Sequence, residues 1–123
     1  MIKIKHFLEP IEDDDGQRIW VEPHGMTKDL REWCAVDHVL PHLGPSPKLW
    51  DWFEKHPDAY DYFAEKYHQA LDKSAYRGAL RDLAQAAAEE NFTLLHEGDD
   101  PAHNTATAMY EYLTELQFSP PEP

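Results

Sequence analysis

In the stretch LLHEGDDPAHN, residues 94–104, two leucines run into a histidine and an acid. A glycine, two more acids, a proline and a second histidine beside an asparagine follow. His96 and His103 belong to the residue type that exchanges protons near neutral pH. Glu97 and Asp99 add carboxylates, and Asn104 adds an amide that both donates and accepts. Such a set suits proton transfer or the holding of a small ligand or cation. It suits an anion poorly. A helix N-terminus attracts anions, but Asp99 and Asp100 stand where a helix is predicted to open at Pro101, and no Lys or Arg follows Arg81. The structural alternative makes Asp100 the N-cap of that helix and Asp99 a solvated turn residue. Three residues of an earlier segment, Arg18, Glu22 and His24, complete the candidate ligand-binding set. In that set Arg18 is the electrostatic anchor, His96 or His103 the proton-transfer group and Asn104 a hydrogen-bonding orienter.

Other chemistries are thinner. His38 and His42 have the spacing of a helical two-histidine metal site, but Pro41 between them disturbs such a helix. Asp13, Asp15, Gly16 and Glu22 fit four places of a calcium-loop pattern whose first ligand place is Ile11, an apolar residue, and the flanks read as strands. The acidic run is therefore expected to be a solvated hairpin loop. Neither metal nor cofactor is assigned. Cys34 lies four residues before His38, within reach on a helix, but a lone cysteine in an apolar stretch is ordinarily a small core residue. Ser46 and Ser74 read as helix caps, and no phosphate-cradling glycine loop exists.

These groups need elements to hold them. IKIKHF alternates like a strand with one wet face, RIWVE over 18–22 reads as a second strand, and FTLL before His96 as a third. A short helical piece is predicted near 30–40. Ser46-Pro47 opens a helix bearing Leu49, Trp50 and Phe53. Pro57 and Ser74 open two more, and Asp100-Pro101 a last one with Ala102, Ala106, Met109, Tyr110, Leu113 and Leu116 inside. Trp52 and Tyr62 fall off the buried face and are expected to be exposed. The order predicts an α/β fold: a small mixed sheet of about three to four strands covered by helices, a single compact domain over residues 1–116, with 117–123 a flexible Pro-rich tail. Strands 18–22 and 92–96 are separated by a helical crossover, which permits parallel pairing and puts residues 18–24 and 96–104 on one rim.

The totals narrow the function. The formal charge is −13, with no basic cluster to displace counterions, so no nucleic-acid partner is expected. No apolar run is long enough for a membrane span, and the start lacks a secretory signal. With one cysteine, the expected compartment is the cytoplasm.

DGQRIWVE, PSPKLWDWF, FAEKYHQAL, LRDLA and TLLHEGDDPAHNTA occur in an order and at spacings that resemble domain-of-unknown-function family 488, the YeaO-like proteins. The likeness implies a compact α/β domain and assigns no activity. Members usually follow the second strand with R-L-W-P-R-G, where this chain has Pro23-His24-Gly25-Met26-Thr27-Lys28. In the later loop His96 stands for a tyrosine, Asp99 for a lysine and Thr105 for a histidine, while Asn104 is retained. The resemblance therefore implies a member that has lost most anion-holding groups. The reading is a non-catalytic binding or interaction module, homo-oligomeric or bound to another protein through exposed aromatics. The alternative is a small enzyme or ligand-binding protein acting at the strand-end crevice near 96–104.

Overall fold

The computed structural model describes residues 1–118. They run β1 (Ile2–His6), β2 (Gln17–Trp20), α1 (Lys28–Trp33), β3 (His38–Val39), α2 (Pro47–Lys55), α3 (Tyr60–Asp72), α4 (Arg77–Ala86), β4 (Phe92–His96) and α5 (Thr105–Phe118), with a short 3-10 turn at Pro41–Leu43. The sheet order is β1-β4-β2-β3, and each neighbouring pair runs parallel. The α/β architecture read from the sequence is present, with four strands as expected, but among the described residues the sheet is wholly parallel rather than mixed, because every connection between neighbouring strands is a crossover. β4 is buried along its whole length, as an inner parallel strand covered on both faces must be. Its apolar residues reflect this: Leu94 lies between Ile4 and Ile19 and is wholly buried, which stabilises the fold by roughly 1.5–3 kcal/mol.

One sheet face carries Ile19, Val21, Phe92 and Leu94 into a core built with α2 to α5. There the rings of Phe53 and Phe63 stack with centroids 4.2 Å apart. The other face carries Trp20 and Leu95 against Cys34, Val36 and the half-buried Leu30 of α1. β2 therefore leads to a helix on one face and β4 to a helix on the other.

Several expectations shift for local reasons. The helix predicted over 30–40 stops at Trp33, because Ala35 adopts φ 54°. The amide of Val36 then donates to the Arg31 carbonyl and that of Ala35 to the Glu32 carbonyl, which closes the helix with a left-handed cap residue. The chain continues into β3, so Cys34 and His38 share no helix. His38 meets Gln17 at 2.8 Å and the His42 ring packs on Tyr76. Ser46 caps α2 as predicted, its Oγ accepting from the Leu49 amide at 3.1 Å. α3 and α4 begin later than Pro57 and Ser74 suggest. α5 begins at Thr105, four residues after Pro101, which turns its stripe: Ala102 precedes the helix, Tyr110 is exposed and Tyr112 is buried. α5 also takes in Gln117 and Phe118, the first residues of the predicted tail, whose remainder lies outside the described residues. Tyr62 is exposed as expected, while Trp52 is half-buried and stacks on His56 with centroids 4.5 Å apart.

The acidic run before β2 is not a hairpin, because β4 lies between β1 and β2. Nor is it wholly solvated, because Asp15 is buried completely. Gly16 takes φ 62°, and a Cβ there would lie 1.8 Å from the Asn91 carbonyl oxygen, so only glycine fits this close approach.

Candidate functional site

Adjacent parallel strands whose connections leave for opposite faces open a crevice at their carboxyl ends. β2 and β4 are such a pair. A cavity of about 460 Å³ lies there, walled by the segments after β2 and β4 and by the start of α5, and closed on the far side by α2. Its volume falls within the range of small-molecule sites, roughly 300–1,000 Å³.

The wall after β2 supplies Glu22. Only 3% of this residue is exposed. Its Oε2 accepts from the Glu97 amide at 3.4 Å, while its Oε1 has no hydrogen-bond partner. Burial pushes its carboxyl above the ordinary range, opposed by the Thr105 hydroxyl and reinforced by the neighbouring charge of Glu97. His24 follows, positioned by Trp20, whose Nε1 donates to the His24 carbonyl at 2.7 Å. The His24 ring lies edge-on to Trp50, and its Nε2 meets Glu97 Oε1 at 3.1 Å.

The wall after β4 is a turn that organises itself. Asp100 Oδ1 accepts from the Ala102 amide, and Oδ2 lies 2.8 Å from His103 Nδ1. These contacts, the backbone amide first, hold the Asp100 carboxyl below the ordinary range. Asn104 is the residue that caps α5: its Oδ1 accepts from the Thr107 amide at 2.8 Å, while its Nδ2 donates to the Asp100 carbonyl at 2.8 Å. The expectation that Asp100 is the cap is corrected accordingly. Asp100 fastens the turn, and Asn104 joins the turn to the helix. Asp99 lines the same cavity in an exposed position.

α2 provides the third wall through Trp50, Phe53 and Glu54, which share one helical face at three- and four-residue spacing. The Glu54 carboxyl is pushed up by desolvation and then by Glu97. The sequence reading missed this wall. Its signal was an acid at the edge of the apolar stripe Leu49-Trp50-Phe53, but nothing local says where that stripe docks.

The structure therefore brings Glu22, Glu97, Asp99, His103 and Asn104 around one cavity, with His24 on its shoulder beside Trp50 and Glu97. It does not bring Arg18 or His96 to that lining. Arg18 is wholly buried before the carboxyl end of β2, level with Thr93. Its Nη1 donates to Asp15 Oδ2 at 2.8 Å, and its Nη2 donates to the carbonyls of Cys34 and Glu9. Lys5 and Lys3 also bind Asp15, at 2.8 Å and 2.9 Å. Burial acts to raise the Asp15 carboxyl, but hydrogen bonds from these three cations outweigh it and hold the group well below the carboxylate range. The Asp15 oxygens are thus occupied by protein cations, which removes them from any calcium loop. His96 is buried against β1, its ring perpendicular to that of His6 at 5.6 Å. Burial, and then His6, lower its pKa, and it sits behind the wall rather than in the lining.

No Lys or Arg is among the residues that line the cavity. Among the described residues no three His, Cys, Asp or Glu side chains converge as a metal site. What the arrangement offers is a desolvated carboxylate with a free oxygen, further carboxylates on two walls, and an indole and a phenyl ring on the third.

A family model described as the inactive DUF488-N3 subclade matches residues 1–119. An uncharacterized protein of Mycobacterium bovis is 34% identical over 88 residues, covering 67% of this chain and 70% of that protein. Uncharacterized proteins of two Mycobacterium tuberculosis strains match with the same identity and coverage. No solved structure matches the chain. Among the described residues no helix is long and apolar enough to cross a membrane.

Proposed function

We propose that this chain, which belongs to the inactive DUF488-N3 subclade, is a non-catalytic binding module whose ligand seat is the crevice at the carboxyl ends of β2 and β4. The observation that carries the reading is Glu22. It is a nearly fully buried carboxylate with one oxygen unpartnered, at the wall of a ligand-sized cavity. Leaving a buried charged acceptor unsatisfied costs about 1–3 kcal/mol or more, a cost that an arriving hydrogen-bond donor removes. The lining carries no cysteine, serine or lysine, and the family model is that of an inactive subclade, which favours binding over covalent chemistry.

The direct test is an amide-resolved NMR titration of the full chain with a chemically mixed fragment set. Shifts confined to residues 22–24, 50–54 and 97–105 support the reading. Fragments that bind only elsewhere, or none that bind, overturn it.

A second reading, a small enzyme at the same crevice, draws on its two histidine–carboxylate pairs, His24–Glu97 at 3.1 Å and His103–Asp100 at 2.8 Å. In that reading turnover of some crevice ligand falls by at least about 100-fold in His103→Ala or His24→Ala, the typical contribution of general acid–base catalysis. The interaction half of the proposal rests on the surface cluster of Trp52, His56 and Tyr62. Concentration-dependent sedimentation that is lost in Tyr62→Ser supports it, and a concentration-independent monomer counts against it.

A further inference from the structure

Glu22, Glu54, Glu97 and Asp99 all line the crevice, and no lining side chain is a Lys or Arg. An anionic ligand is therefore repelled, and a neutral one leaves these charges facing one another. Glu97 opposes the ionisation of both Glu22 and Glu54, and all three line the same cavity. A point cation is also a poor match, because no three of the described carboxylates or histidines converge on one ion position. The positive charge that fits is spread along a ligand, with one donor group for each wall. Between the acidic walls stand Trp50 and the buried Phe53. Their rings offer apolar surface to methylenes and a π face to an ammonium. On the β2 wall Glu22 Oε1 is buried without a hydrogen-bond partner, in a residue that is 3% exposed.

We propose that the crevice is a seat for a linear aliphatic di- or polyamine, with one ammonium on Glu22, another reaching Glu54 or Glu97, and the methylene chain against Trp50 and Phe53. This inference rests on the reading of the crevice as the ligand site and names the ligand's class. The same alkylammonium chemistry is presented by a free polyamine and by the lysine side chains of a partner peptide.

Isothermal titration calorimetry of the full chain with spermidine, putrescine, n-butylamine, magnesium chloride and a short oligolysine peptide tests it, with amide NMR to map each contact. The expected result is saturable one-to-one binding of spermidine and putrescine, with n-butylamine at least about tenfold weaker because it carries one charge. Glu22→Gln and Glu54→Gln each weaken spermidine by about tenfold or more. Glu54→Gln lies at an exposed position and keeps the test meaningful if Glu22→Gln disturbs folding. Oligolysine binding tighter than spermidine at the same amides assigns the same chemistry to a protein source. Magnesium competing at equal strength overturns the proposal in favour of an inorganic cation. Spermidine binding that both variants leave unchanged, or that spreads over the whole acidic surface, overturns it as nonspecific attraction. If neutral or anionic fragments shift the crevice amides and amines do not, the ligand class fails and the binding site stands. If no compound shifts those amides, both fail.

Discussion

Two buried carboxylates flank β2, Asp15 two residues before it and Glu22 two residues after it, and folding has treated them in opposite ways. Asp15 is wholly buried, and Lys3, Lys5 and Arg18 surround it. Its backbone carbonyl also accepts from Thr93 Oγ1 on β4. Glu22 is buried almost as deeply, yet no Lys or Arg lines its cavity and one of its oxygens has no partner. The first carboxyl is held low and the second is pushed high. A chain with 11 Lys and Arg against 24 Asp and Glu must place its cations selectively, and here three of them serve one acid. The Asp15 end is closed by the protein itself. The Glu22 end has no Lys or Arg in its lining and keeps one oxygen unpartnered.

The largest expected effect breaks the closed end. Asp15→Ala strands the buried Arg18 guanidinium without its counter-ion and is expected to destabilise the protein by about 3–5 kcal/mol, the usual consequence of removing one member of a buried ion pair. Urea unfolding at neutral pH measures it. A loss under about 1 kcal/mol, the level of an exposed pair, would erase the contrast.

Glu22→Gln is expected to act with the opposite sign. It removes a desolvated charge while keeping the side chain's shape, and should stabilise the ligand-free protein by about 1 kcal/mol at neutral pH. The pH dependence separates the two acids. A raised folded pKa means that Glu22 destabilises fully above that value, and that this penalty fades as pH falls toward the ordinary glutamate value of 4.5. A lowered folded pKa means that Asp15 stabilises fully above the ordinary aspartate value of 3.8, and that this contribution is lost as pH falls below it toward the folded value. Glu22 therefore contributes a rise in stability on mild acidification, buried His96 with its lowered pKa contributes a fall below about pH 6.5, and Asp15 contributes a further fall in stronger acid. Relief of self-repulsion in a chain of charge −13 also favours the rise. The comparison with Glu22→Gln isolates the single group: on mild acidification the variant should gain less stability, or lose more, than the parent chain, with an unchanged fall in stronger acid. Thermal melts across the range check both limbs, and an identical mild-acid profile in the variant would deny Glu22 its role.

Asn104→Ala is next, at about 1 kcal/mol, since it removes the α5 cap and the link to the Asp100 carbonyl. Urea unfolding reads the stability loss. Amide exchange should quicken in the first turn of α5 and over 98–104, leaving the Asp15 end unchanged.

Much of this contrast was written in local pattern. The alternation of Ile2 and Ile4, and the apolar run ending at Leu95, marked β1 and β4. The long helical excursion between residues 22 and 92 implied that β2 and β4 run parallel and share a rim. Glu22, His24, Glu97, Asp99, His103 and Asn104 came from that inference alone. Arg18 was placed with them because it lies on β2, but which end of a strand a long side chain serves depends on where its counter-charge is buried. Asp15 looked like one solvated acid among several. β3 is two residues long and carries no periodicity, and Ala35 in a left-handed conformation is not a residue from which a helix stop is read. The α2 wall escaped for a different reason: its own face was legible, but its docking partner lies 44 residues on in the chain, from Phe53 to Glu97.

The smallest effect sharpens the picture of the open end. His24 and Glu97 approach to 3.1 Å, but their side chains are 43% and 32% exposed. An exposed pair is screened by water and holds two side chains at an entropic cost, so its coupling is about 0.2–1 kcal/mol. His24→Ala is accordingly expected to change stability by no more than about 0.5 kcal/mol. Its value lies in binding. The imidazole occupies Glu97 Oε1 at 3.1 Å, so its removal frees that oxygen for an incoming ammonium. Spermidine affinity should hold or rise slightly. Calorimetry of His24→Ala reads the difference. An affinity that drops in the variant would make His24 part of the seat itself, holding the ligand against Trp50 rather than competing with it for Glu97.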